Sequence, residues 1–196
     1  MILPIVAYGD PVLKKMGIEI TKDYSKLNEL IANMYETMYT AFGVGLAAPQ
    51  IGLPLRLFLV DTAPFAEDEV FTPEEQEELK AFKKTFINAR ILKEEGDEWP
   101  FNEGCLSIPD VREDVFRKPD ITIEYFDENF KKHKETYGGL IARVIQHEYD
   151  HIEGILFTDK LSSLKKRLIK GKLANISKGK IKVDYKMRFP NQKKKR

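Results

Sequence analysis

The sequence predicts a single domain that combines α-helices with an antiparallel or mixed β-sheet. Segments whose apolar residues recur at helical spacing are interspersed with short β-rich segments, and two of the latter are joined by only a few polar residues. The length of 196 residues suits one domain and allows a substantial core. With 42% hydrophobic and 32% charged residues, the composition supports globular folding and argues against a chain that is disordered throughout.

The first helix is predicted at residues 24–42, where Asp23 is placed to cap its start. The apolar residues that share one face of this helix are Leu27, Ile31, Met34 and Met38. The helix is predicted to end near Gly43, because the segment GVGLAAPQIG that follows contains small residues and a proline that cannot extend it. Residues 56–60 (RLFLV) then predict a short buried strand.

Residues 64–84 are acidic and predict a solvated insertion with one helical turn that begins at Pro73. Strands are predicted at residues 85–92 and 121–126, and the second of these meets residues 131–136 across a plausible hairpin connection.

A second helix is predicted at residues 140–152, after the Gly138-Gly139 break and before Gly154. Its apolar positions are Leu140, Val144, Ile145 and Tyr149. A further helix is predicted at residues 161–174, ahead of the basic end KMRFPNQKKKR.

Charge and targeting features limit the function classes. Lys and Arg number 32 and Asp and Glu number 31, so the net charge of +1 gives no overall preference for polyanions or membrane surfaces. The single cysteine excludes an intramolecular disulfide and fits a reducing compartment. The apolar start at residues 2–7 is too brief for a secretory signal, and no apolar run approaches the roughly 18 residues that span a bilayer. We therefore expect a soluble cytoplasmic protein.

The sequence HEYDH carries a potential metal site within the second helix. His147 and His151 lie one helical turn apart and can direct imidazole nitrogens at one ion, while Glu148 can reach a metal-bound water. Asp150 and Glu153 are predicted to cap the helix or to lie outside the ligand set, where a carboxylate that accepts the spare imidazole proton would fix the ring's tautomer. The alternative is that both histidines simply pack or face solvent on an amphipathic helix.

Cys105, in the stretch FNEGCLSIPD, is the candidate third ligand. Alone, such a cysteine is usually a small buried hydrophobe, but two histidines follow 42 and 46 residues later, and a Cys/His/His set leaves a fourth position open for catalysis. Gly104 permits a turn with close backbone approach. His133, in the charged stretch KKHKE, is predicted to be solvated.

The glycine-rich stretch GVGLAAPQIG lacks a lysine and the G-x-G-x-x-G spacing, so it does not match a phosphate-binding loop. It is either an ordinary helix-to-strand connection or a support for Gln50, whose amide could donate to a developing oxyanion.

Taken together and in this order, GVGLAAPQIG, EGCLS and HEYDH resemble the three motifs of peptide deformylases, although they cover only about a tenth of the chain. The resemblance implies an α+β fold with antiparallel or mixed β-sheets packed around a central helix that carries HEYDH. It implies a catalytic domain at residues 1–185, followed by a basic C-terminal tail at residues 186–196. It also implies hydrolytic removal of the formyl group from the N-terminal formylmethionine of newly synthesised polypeptides, with release of formate.

The resemblance further implies the cofactor and the residue roles. The metal would be Fe(II), with Zn or Ni as substitutes, held by Cys105, His147 and His151. Glu148 would be the acid/base, and the oxyanion donors would be Gln50 and the backbone N–H of Leu106. The substrate contacts would be the Gly45 backbone, Val44 in the methionine pocket and Arg112 at the substrate carbonyls, with a solvated arginine as the alternative for Arg112.

Two other functions remain open at this stage. A metallopeptidase could use HEYDH to cut internal amide bonds, but common zincins take their third ligand downstream as His or Glu, which counts against it. A non-enzymatic protein could keep the metal as a structural element and bind ribosomes or RNA through its basic end. The expected partners are N-formylmethionyl nascent peptides, with a transient ribosome contact through QKKKR as an alternative to a solvated tail; neither DNA nor membrane is expected.

Overall fold

The computed structural model describes residues 1–191, which form an α+β domain. Its helices are α1 (Leu27–Thr40), α2 (Pro73–Ala81), α3 (Gly139–Ile152) and α4 (Ser163–Ser177). Its strands are β1 (Ile5–Val6), β2 (Gly45–Ala47), β3 (Leu57–Asp61), β4 (Lys83–Glu95), β5 (Trp99–Cys105), β6 (Ile108–Arg117), β7 (Asp120–Phe126), β8 (Lys132–Tyr137) and β9 (Met187–Arg188). They form a five-stranded sheet in the order β2-β3-β4-β7-β8 and two two-stranded sheets, β5-β6 and β1-β9.

The five-stranded sheet is antiparallel throughout, as the hairpin between β7 and β8 predicts. All five residues of β3 are buried, because this strand has helices on both faces. On one face, Phe58 and Phe86 pack with Ile141 and Ile145 of α3. The sheet therefore fixes the helix that carries HEYDH over most of its length.

On the other face of the sheet, α1 buries Ile31, Met34 and Met38, as the helical spacing predicts. The predicted cap is wrong. The helix begins at Leu27, and its N-cap is Lys26 in the left-handed conformation (φ 63°) with no side-chain cap bond, so Asp23 lies too far upstream to act.

The acidic segment at residues 64–84 is more structured than the sequence predicts. Thr72 and Glu75 form a reciprocal capping box that starts α2, and Pro73 occupies the first helical position. Leu79 and Phe82 are only 4% and 8% exposed. The segment thus packs on the main core through its few apolar residues while its carboxylates face solvent.

The hairpin of β5 and β6 has no counterpart in the sequence predictions. The two strands pair from Trp99–Arg117 to Cys105–Ile108, and a register shift falls between Gly104 and Cys105. Their connecting turn is formed by Leu106 and Ser107. This turn places Cys105 next to α3.

The C-terminal region continues the fold past residue 185. Ser162 caps α4, and after this helix the chain returns so that β9 pairs in parallel with β1. The start of the segment predicted as a basic tail is therefore part of a small sheet, while QKKKR, residues 192–196, lies outside the described residues. Within residues 1–191, no helix has both the length and the apolar character needed to span a bilayer.

Candidate metal centre and active-site cleft

The helix α3 presents His147, Glu148 and His151 from its C-terminal half. The helix stops at Gly154, whose φ of 73° is left-handed and whose missing Cβ would lie 2.8 Å from the Lys14 backbone. A glycine is required there both for the turn and for this close approach. The end of the helix is thereby fixed, and with it the direction of both imidazoles.

Cys105, at the end of β5, meets the two histidines. Its Sγ lies 3.2 Å from Nε2 of His151, and one donor atom from each of Cys105, His147 and His151 falls within 4.8 Å of the others. Tetrahedral ligands at ordinary metal distances stand about 3.5 Å apart, so the three donors fit a single divalent ion. The structure brings together the side chains that the sequence analysis grouped, and their N and S donors suit a transition metal.

Gln50 turns its amide nitrogen toward the same point. Its Oε1 accepts a hydrogen bond from the Ala47 N–H at 2.8 Å, which fixes the amide orientation, and its Nε2 lies 3.4 Å from Cys105 Sγ. Gln50 is buried in a short 3-10 turn that follows the edge strand β2. The amide N–H groups are therefore preorganised at the rim of the donor cluster.

Glu148 lies against β2 rather than among the donors. A Cβ on Gly45 would stand 2.4 Å from Oε1 of Glu148, so only glycine leaves room for the carboxylate. The Oε2 atom is buried and has no hydrogen-bond partner within residues 1–191. Burial raises the pKa of Glu148 to about 7, with His147 and Arg117 opposing the shift and Glu103 adding to it. A carboxyl with a pKa in this range can both take up and release a proton.

A buried charge network supports the donors. Glu103 accepts from His147 Nδ1 at 2.9 Å and from Arg117 Nε at 2.7 Å, and Arg143 lies 3.1 Å from the same carboxylate. The predicted role of Asp150 and Glu153 as acceptors of the imidazole protons is wrong. Asp150 accepts from Arg117 and Glu153 from Arg56, whereas His147 Nδ1 contacts Glu103 and the buried His151 Nδ1 has no hydrogen-bond partner within residues 1–191.

The same contacts set the ionisation of the network. Burial opposes ionisation of Glu103, but the hydrogen bonds from His147 and Arg117 hold its pKa far below the ordinary value. Burial also opposes protonation of His147, yet its bonds to Cys105 and Glu103 raise its pKa, whereas burial and the nearby cations lower the pKa of His151. Glu103 therefore stays an anion that orients His147 and leaves Nε2 of that ring for a ligand.

Two of the donors, Cys105 and His147, line a cleft of about 630 Å³ together with Gln50 and Glu148. One wall is apolar and is formed by Val44, Phe65, Phe101 and Val144. Leu140, one helical turn before Val144, packs in the core. Arg112 also lines the cleft, where its guanidinium lies over Gly104 and bonds to both oxygens of Asn102.

His133 lies away from the cleft and is less solvated than the sequence predicts. Its Nε2 is 2.8 Å from Asp127 Oδ2, and its ring stacks on Tyr125.

Four residues of the site were not identified from sequence: Glu103, Arg117, Arg143 and Tyr185. Two of them carried a detectable signal. Glu103 stands two residues before Cys105 in the quoted motif, and Arg143 lies four residues before His147, on the helix face that contacts the β5-β6 hairpin. Arg117 and Tyr185 reach the site through tertiary folding alone.

An H-E-x-x-H helix with a cysteine sulfur beside it, an adjacent amide and an apolar cleft defines the class of the metal-dependent hydrolases. Residues 2–167 match the family model described as polypeptide deformylase. The peptide deformylase of Christiangramia forsetii is 72% identical over 196 residues and covers 100% of both chains. That of Flavobacterium johnsoniae is 68% identical over 194 residues, which is 99% of each chain.

A crystal structure of a peptide deformylase from Legionella pneumophila superimposes with a TM-score of 0.76 at 36% sequence identity, covering 92% of this chain and 98% of that chain. The chain therefore belongs to the polypeptide deformylase family, whose members remove the N-formyl group from nascent polypeptides. This membership and the α+β fold confirm the family, the fold class and the activity that the three motifs implied.

Proposed function

We propose that this chain deformylates N-formylmethionyl nascent polypeptides with an Fe(II) ion held by Cys105, His147 and His151. The convergence of these three donors beside Glu148 and the Gln50 amide is the observation that carries the proposal. The metal supplies Lewis acidity, which lowers the pKa of water from 15.7 to about 7 and polarises a carbonyl. Zn and Ni suit the same donors and are proposed as substitutes, while an iron–thiolate centre would be sensitive to oxygen.

Glu148 is the proposed proton carrier. As water adds to the formyl carbon, one water proton passes to the Glu148 carboxylate; when the C–N bond then breaks, that proton passes to the departing amine nitrogen. The products are formate and a free N-terminus, and the carboxyl returns to its starting state. Two observations support this role. Glu148 packs closely against Gly45, and its buried Oε2 has no hydrogen-bond partner within residues 1–191, so this oxygen is available to a proton.

Gln50 and the backbone N–H of Leu106 are the proposed oxyanion donors. The Gln50 amide is already oriented by Ala47, so it needs no reorganisation when negative charge develops on the formyl oxygen. A preorganised donor of this type is typically worth about 2.7–4 kcal/mol.

The cleft supports a substrate that is bound mainly through its backbone. β2 is an edge strand, so the Gly45 backbone is available to an extended peptide, as in other edge-strand complexes. Val44, together with Phe101 and Val144, offers an apolar wall for the methionine side chain. Arg112 is proposed to contact substrate carbonyls farther along the peptide.

We also propose a cytoplasmic location and a transient ribosome contact. Residues 160–196 hold 15 of the 32 Lys and Arg residues but only one of the 31 Asp and Glu residues. Such a concentration of cations favours attraction to RNA phosphates, which weakens steeply with salt. Co-sedimentation with ribosomes at 50 and 200 mM salt tests the contact, and equal sedimentation at both would contradict a phosphate-based mode.

The test of catalysis is anaerobic formate release from formyl-Met-Ala-Ser by the Fe(II)-loaded protein, with the unformylated peptide as control. Glu148→Gln should keep the metal and lose on the order of 10²–10⁴ in kcat, since it removes the proton carrier alone. Absence of formate from fully loaded wild-type protein would refute the proposed activity. Cleavage of the unformylated peptide would instead favour a metallopeptidase.

A further inference from the structure

The turn between β5 and β6 is held from outside the hairpin. Leu106 and Ser107 form this turn, directly after Cys105. The Leu106 carbonyl accepts a hydrogen bond from the Tyr185 hydroxyl at 2.7 Å, and the Ser107 carbonyl accepts from the Tyr8 N–H at 2.8 Å. Both carbonyls of the turn therefore have partners that lie far away in sequence.

The Leu106 side chain is restrained as well. A Cβ on Gly43 would stand 2.8 Å from Leu106 Cδ1, so this side chain packs directly onto the backbone of the glycine-rich stretch. With its carbonyl bonded and its side chain packed, Leu106 has little freedom to rotate. Its N–H, on the preceding peptide unit, is therefore fixed in direction.

Tyr185 is itself anchored by the small sheet next to it. The carbonyl of Lys186 accepts from the Ile5 N–H at 2.9 Å, and that of Arg188 accepts from the Ala7 N–H at 2.9 Å. The Tyr185 ring is half-buried and lines the same cleft as the metal donors. The segment after α4 thus links β1 to the turn, through the backbone hydrogen bonds of β9 and the Tyr185 hydroxyl.

We infer that Tyr185 is a positioning residue that aims the Leu106 N–H at the developing oxyanion. The inference rests on the proposed function, because it takes that N–H to be an oxyanion donor. A donor stabilises a transition state only when its direction is fixed beforehand. The Tyr185 hydroxyl supplies this restraint from a part of the chain that none of the three motifs includes.

The test is Tyr185→Phe, which removes the hydroxyl and keeps the ring. Loss of a complete oxyanion donor costs on the order of 10²–10³ in kcat, and loosening one donor should cost about tenfold, with KM within about twofold of wild type. The matched control is Tyr35→Phe on α1, which should leave kcat unchanged. The Tyr35 hydroxyl lies 3.4 Å from Thr85 Oγ1 of β4. Both rates are expressed per metal-loaded, folded protein.

Hydrogen exchange of the segment 105–108 provides a readout that does not depend on turnover. The inference predicts faster exchange there in Tyr185→Phe than in wild type or Tyr35→Phe, with unchanged metal content. Wild-type exchange at the turn, an unchanged kcat, or a kcat loss that merely follows metal loss would each overturn it. If loaded wild-type protein releases no formate, the proposed function fails, and the exchange measurement still decides whether Tyr185 holds the turn.

Discussion

Replacing Gly45 with alanine should disable the proton carrier while leaving the metal donors intact. The added Cβ would lie 2.4 Å from Glu148 Oε1 and 2.7 Å from its Cδ and Cγ. Ordinary contact begins near 3.4 Å, so the carboxylate must move by about 1 Å. Because Glu148 is only 4% exposed and packs against Gly45, relief of this clash moves the carboxylate away from its present position in the cleft.

A displacement of about 1 Å in a reacting group can cost on the order of 10²-fold, so kcat should fall by about that factor while KM changes little. Overpacking of this kind typically costs about 1–3 kcal/mol of stability, which corresponds to a Tm lowered by about 2–4 °C per kcal/mol for a domain of this size. The metal content should stay at the wild-type level.

The assay is steady-state formate release, run beside thermal unfolding and metal analysis. Gly171→Ala in α4 is the matched control, because its added Cβ would meet nothing within 4 Å among residues 1–191. That variant should keep full activity and gain up to about 1 kcal/mol of stability, since alanine favours a helix interior. Wild-type kcat in Gly45→Ala would refute the argument that this glycine exists to make room for Glu148.

Three further predictions follow from the supporting contacts. Glu103→Gln should weaken metal affinity by about 10–100-fold in a chelator competition, because it loosens His147 and removes the carboxylate that neutralises the buried Arg143; unchanged affinity would show that Glu103 does not orient the ligand. Burial opposes ionisation of Glu135, but hydrogen bonds from Lys84, Tyr125 and Tyr137 lower its pKa to about 2. The contribution of Glu135 to the free energy of unfolding is therefore full above about pH 4.5 and is lost as the pH falls from 4.5 to 2. Glu135→Gln should therefore be less stable than wild type at pH 7 and equal to it near pH 2 in acid unfolding, and a difference that grows toward pH 2 would contradict the sign. Chelation of the metal should lower Tm in proportion to the logarithm of metal concentration over Kd, and an unchanged Tm would mean that the donors bind no ion.

The helix that carries HEYDH could be predicted because its information is local. A helix places residues four apart on one face whatever surrounds it, so the pairing of His147 with His151 needed no knowledge of the fold. The approach of Cys105 depended on topology, and only the joint occurrence of the three motifs indicated it. The structure adds the hairpin that delivers the thiol.

The hairpin itself escaped prediction because its inward positions are partly charged. Val111 and Val115 face inward, but Glu113 and Arg117 share their side of β6, so the alternation of apolar and polar residues is interrupted. Arg117 is buried only because Glu103 and Asp150 neutralise it. Such pairing is a tertiary contact and has no signal in the periodicity of a single segment.

The acidic segment was predicted only in part, for a related reason: the helix start at Pro73 and the exposed carboxylates were expected, but the packing on the core was not. Its charge dominates its composition, yet Leu79 alone among the residues of α2 is buried, and Phe65 and Phe71 complete the contact with the core. A few well-placed apolar side chains thus determine where a mostly polar segment packs.

The most direct test of the central claim is X-ray absorption at the metal edge of the zinc-loaded protein. One sulfur at about 2.3 Å and two imidazole nitrogens at about 2.0–2.1 Å are expected, with the sulfur lost in Cys105→Ser. A spectrum without sulfur in the wild-type protein would contradict the assignment of Cys105, His147 and His151 as the ligands of one ion.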